Sequence, residues 1–125
     1  MPHPFFDAIS TDKELSPHCR LDIVDLPNAH IPKDKIKAIV LGADPTNKGI
    51  SGEGLIQLKK VFGIDSEYEK YFWGPQLRNL KALNLSKDNV YVQNVCRNYF
   101  KAETSISVIL IEYKICITFT VNFIN

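Results

Sequence analysis

A chain of 125 residues, 45% apolar and 23% charged, has material for one packed domain and does not read as disordered. Fifteen Lys and Arg stand against fourteen Asp and Glu, a formal net charge of +1. That balance excludes a strongly basic protein that blankets phosphate, yet leaves room for a small phosphate site built from backbone N–H groups.

The opening MPHPFFDAISTDKEL has no basic segment leading into an apolar core. No signal peptide is expected, and the chain reads as cytoplasmic. Cys19, Cys96 and Cys116 are isolated, odd in number and without a C-x-x-C pair, which points to reduced thiols rather than a zinc site or a disulfide framework. Residues 1–35 read as an N-terminal arm with short structure, because Pro2, Pro4, Pro17, Pro27 and Pro32 interrupt any long helix.

IKAIVLG, residues 36–42, is continuous and β-branched, with loop signals on both sides. It predicts a strand buried on both faces, as inside a parallel sheet. The loop DPTNKGISGEG follows, and residues 55–63 fit strand or helix equally. Ser66 and Glu69 have capping-box spacing, which predicts a short helix over 66–72. Pro75 suits the first turn of a second helix running to about residue 83, with Leu77, Leu80 and Leu83 on one stripe. SKDN makes a turn, and VYVQNVC, residues 90–96, alternates like a second buried strand. Helical segments between two such strands predict an α/β fold: a three-layer α/β/α domain with a central, mainly parallel sheet.

From residue 105 the character changes. SISVILIEYKICITFTVNFIN alternates with strand periodicity and has neither Gly nor Pro. Glu112 and Lys114 split its apolar stretch, so a transmembrane helix fits poorly. Its bias toward Ile, Phe, Asn, Lys and Tyr suggests a shifted reading frame or premature end, and a domain incomplete at the C-terminus. Resequencing across the codons for Thr104 and Ser105 checks that expectation.

Two segments could carry chemistry. Asp44 lies two residues beyond the first strand, where sites form in open α/β sheets. A carboxylate there can orient a water and stabilise a developing cation, although Asp44-Pro45 can equally just start a turn. Asn94 falls at the end of the second strand. Its amide can accept from the N3–H of uracil while donating to O4, a pattern cytosine does not offer. It can equally be a strand-terminating Asn bonded to its own backbone.

GADPTN resembles the G-Q-D-P-Y-H motif of the uracil-DNA glycosylase superfamily. PQLRNLKAL resembles the S-L-K-N-containing helix of those enzymes, and VYVQNVCRNYF resembles their strand ending in the uracil-reading Asn. The likeness covers residues 36–104 in matching order, so residues 1–104 are read as the N-terminal part of such a domain. It implies hydrolysis of the N-glycosidic bond of a uracil or related damaged base flipped out of DNA, with no metal or organic cofactor, by a monomer that uses no membrane. Asp44 takes the place of the residue that positions the attacking water, and Asn94 that of the uracil reader. Phe62 is the candidate for the aromatic that stacks on the base, or else a core residue. Gly42, Pro45, Thr46 and Asn47 shape the pocket loop.

The sequence departs from the pattern twice. Thr46 and Asn47 replace the Tyr and His of the motif, and the Tyr is what excludes the methyl group of thymine. The late H-P-S-type motif has no counterpart, since His3, His18 and His30 all precede the first motif. Two alternatives therefore stand: a catalytically dead fragment, and an unrelated α/β nucleotide- or phosphate-binding module using residues 42–54. That loop has neither a Walker pattern nor G-x-G-x-x-G.

Overall fold

Two parallel strands, β1 (Ala38–Gly42) and β2 (Val90–Asn94), form the sheet of a small mixed α/β fold, seen in a computed structural model that describes residues 3–102. Residues 105–125, whose sequence alternates with strand periodicity, lie outside the described residues. The register runs from Ala38 opposite Val90 to Gly42 opposite Asn94. Parallel pairing needs a long crossover, which here carries α2 (Glu69–Phe72) and α3 (Gly74–Ala82). Both strands point the same way, so Gly42 and Asn94 end side by side. Each regular strand is two residues shorter than the sequence predicts, but Val95 N donates to the Gly42 carbonyl at 2.9 Å and Cys96 N to that of Ala43 at 3.0 Å.

On one face of the sheet, Val90 and Val92 join Val61, Ile64, Trp73 and Leu80 in a buried cluster, with Ala38 and Val40 against it. The other face differs from expectation: Ile39 is 64% exposed and Leu41 65%. The continuous apolar run predicts burial on both sides, but α2 and α3 contribute to the covered side only. Among the described residues β1 is an edge strand. The far edge of β2 is occupied by His30, whose backbone exchanges bonds of 2.9 and 3.0 Å with Val92.

The N-terminal arm supplies more of the core than its prolines suggest. Pro4 opens α1 (Pro4–Ser10), where a missing N–H costs nothing. Phe5, Phe6 and Ile9 turn inward to meet Leu15, Cys19, Ile23 and Leu26. Cys96, Tyr99 and Phe100, just beyond β2, complete this second cluster. Each such large side chain contributes about 1.5–3 kcal/mol on burial. Backbone bonds from Arg20 N to the Tyr99 carbonyl (2.8 Å) and from Lys101 N to that of His18 (2.9 Å) tie arm and loop together. Cys19 is a free thiol buried in this cluster, and Cys116 lies outside the described residues.

The crossover helices follow local rules with one shift. Glu69 reaches back to the backbone N–H of Asp65 at 3.0 Å rather than to Ser66, and α2 begins only at Glu69. Ser66 Oγ instead accepts from Tyr68 N and donates to the Gly63 carbonyl. Helix α3 ends in a Schellman motif: Asn84 sits at φ 56°, Leu85 N donates to the Leu80 carbonyl and Asn84 N to that of Lys81. Of the predicted leucine stripe, Leu80 is buried, Leu77 half-buried, and Leu83 exposed at the cap. Among the described residues no helix is long and apolar enough to cross a membrane.

Candidate functional site

The parallel register sets the first geometry of the site, because it places a glycine and an asparagine at adjacent strand ends. A Cβ on Gly42 would collide with Asn94 Oδ1 and lie 2.7 and 2.8 Å from the ring carbons Cζ and Cε2 of Phe62. Only a hydrogen at this position lets amide, ring and backbone converge. Asn94 is 4% exposed. Its backbone N–H donates to Gln93 Oε1 at 2.8 Å, but its side-chain amide makes no hydrogen bond among the described residues.

Phe62 reaches the cluster through an unusual backbone. It lies in the left-handed region at φ 57°, ψ 19°, within the tight turn Val61–Gly63. For a residue with a Cβ this costs about 1–2 kcal/mol, and such outliers concentrate at functional sites. Behind the ring stands Trp73, with centroids 5.7 Å apart and planes at 67°. Trp73 is 1% exposed, and its indole N–H is buried without a partner. Nothing in the sequence pattern singles out Trp73 as a site residue, beyond its being the lone Trp of the chain.

The loop after β1 is held from three sides. Asp44 Oδ1 accepts from Thr46 N at 2.8 Å, which fixes the carboxylate against its own turn. Thr46 Oγ1 accepts from Phe100 N at 2.8 Å and so latches the loop to the segment beyond β2. The Asn47 amide is used entirely on the loop. It donates to the Pro45 and Ile56 carbonyls (3.1 and 2.9 Å) and accepts from Gly49 N and Ile56 N (3.0 and 2.9 Å). Pro45 is buried beneath this turn. A Cβ on Gly49 (φ 80°) would strike the Gly54 carbonyl, so the chain can close here only with glycine.

Of the residues read from the sequence, Gly42, Asn94 and Phe62 meet directly, and Asp44 is anchored two residues from Gly42. Thr46 and Asn47 act as latch and staple of the loop. Below the latch, burial raises the Tyr99 phenol above its ordinary pKa, against the opposing effect of Leu58 N, which donates to its oxygen at 2.8 Å. The histidines are engaged elsewhere: His3 caps α1, the His18 carbonyl receives Lys101 N, and His30 Nε2 lies 2.6 Å from the Lys87 carbonyl. Among the described residues no group of three or more His, Cys, Asp or Glu is placed to hold a metal.

No family model, no curated protein and no solved structure matches this chain.

Proposed function

We propose that this chain is a uracil-DNA glycosylase-like protein, which receives a uracil or related damaged base from DNA beside Gly42, Phe62 and Asn94. The observation that supports this reading most is the convergence of the Asn94 amide and the left-handed Phe62 ring on Gly42, at the carboxyl end of a parallel strand. The amide accepts from the base N3–H and donates to O4, while Phe62 stacks on the ring. Asp44 holds the attacking water and takes its proton. The water oxygen bonds to C1′ of the sugar, and the glycosidic electron pair leaves with the base. Free base and an abasic deoxyribose result.

The reading includes a monomeric, cytoplasmic protein without metal or organic cofactor, and a three-layer α/β/α arrangement around the parallel sheet. No histidine is placed to stabilise the departing base anion, and a group of that kind contributes about 10²–10⁴-fold in rate. Slow excision is the expected behaviour.

The engagement of His3 and His30 elsewhere favours a second reading, a protein that binds uracil-containing DNA without cleaving it. Purified protein is incubated with single- and double-stranded uracil-containing DNA, and alkali then reveals abasic sites. Slow cleavage lost in Asp44→Asn supports the first reading. Binding selective for uracil without cleavage supports the second. Robust cleavage that survives Asp44→Asn refutes the role of Asp44 in holding the water, and ATP binding without DNA binding refutes both readings.

A further inference from the structure

A cavity of about 690 Å³, sharing no lining residue with the Gly42–Asn94 cluster, opens on His3, Asp25, Asn28, Gln57 and Lys59. His3 Nδ1 accepts from Phe5 N–H at 3.1 Å. A neutral imidazole that accepts at Nδ1 carries its proton on Nε2. Arg97 Nη1, another N–H donor, lies 3.5 Å from that Nε2. Two donors thus face each other with no acceptor between them.

Arg97 is only partly exposed and makes no ion pair with a carboxylate among the described residues. Its remaining contact is with the Phe5 ring, 5.9 Å from the centroid, and its Nε is buried without a partner. A half-buried cation without a counter-charge is unfavourable. One oxyanion would accept from both His3 Nε2–H and the guanidinium and neutralise the charge. Lys59 is a cation on the cavity wall itself, opposed by Asp25, the one carboxylate in the lining.

We propose that His3, on the wall of this cavity, and Arg97 beside its ring form a binding site for a phosphate oxyanion. The site stands independently of the glycosylase reading, since it uses neither Asp44 nor Asn94. The phosphate can be inorganic or part of a nucleic-acid backbone, because both present the same acceptor oxygens.

The test is NMR of histidine-labelled protein titrated with sodium phosphate at constant ionic strength. A saturable shift of the His3 Nε2 resonance is expected. His3→Asn keeps a side-chain acceptor for Phe5 N–H and lacks the Nε2 donor. It should weaken phosphate binding about tenfold or more, the scale of one hydrogen bond to a charged group. Arg97→Gln should do the same, and where that variant fails to fold, His3→Asn carries the test alone. A short uracil-free oligothymidylate forms the second arm. Tighter saturation of the same resonance by the oligonucleotide assigns a backbone phosphate, and saturation by inorganic phosphate alone assigns a free one. Shifts reproduced by chloride at equal ionic strength, or unchanged affinity in His3→Asn, overturn the proposal.

Discussion

Gly42 is where the candidate site is most sensitive to a single atom. Gly42→Ala places a methyl group against Asn94 Oδ1 and the Phe62 ring, so one of them must move. Overpacking of this kind costs about 1–3 kcal/mol, and a lower urea midpoint at unchanged slope is the expected result. His3 gives a second single-residue test. Burial, with the Arg97 charge behind it, lowers its pKa below the ordinary 6.5. In the window between the lowered folded value and the unfolded one, the unfolded chain binds more protons. Stability contributed by neutral His3 is therefore complete above the unfolded value and falls with pH through that window. Arg97 faces the ring directly, and Asp25 and Lys59 share its cavity. Urea unfolding at a series of pH values should show this loss on acidification, and His3→Asn should flatten it.

Among the elements, α3 shows a local rule at its clearest. Asn84 holds the left-handed position of the Schellman motif, which Asn and Gly tolerate and Ala does not. Asn84→Ala should destabilise by about 1 kcal/mol while Asn84→Gly stays near neutral, as thermal or urea unfolding can measure. The start of α3 was legible in Pro75, and both strands in their β-branched runs, because these signals are local. The start of α2 was not. Ser66 and Glu69 have the right spacing, but Asp65 at φ 62° turns its own N–H toward Glu69 and moves the helix start. The left-handed Phe62 was equally hidden, since no local preference puts an aromatic there. Its conformation belongs to the packing of its ring over Gly42 and against Trp73.

At the scale of the molecule, the sheet is covered on one side and the core falls into two clusters among the described residues. The pattern of IKAIVLG cannot distinguish a strand buried on both faces from one whose Ile39 and Leu41 stand open. The N-terminal contribution was obscured because prolines mark breaks without telling where Phe5 and Ile9 will pack. The meeting of Gly42 and Asn94 was legible in part, as two strand ends in a parallel sheet. Their approach within atomic contact depends on register, which the sequence pattern does not specify. Trp73, the lone tryptophan, packs on Phe62, so its emission reports on the aromatic assigned to the base. The decisive measurement is Trp73 fluorescence in Asp44→Asn protein, which the proposed mechanism leaves without turnover, titrated with matched single-stranded oligonucleotides carrying one uracil or one cytosine. The expected result is a saturable change with about tenfold or greater preference for uracil, as loss of a buried hydrogen bond implies, abolished in Asn94→Ala. An equal response to both oligonucleotides, or a preference that survives Asn94→Ala, would contradict the assignment of Asn94 as the base reader.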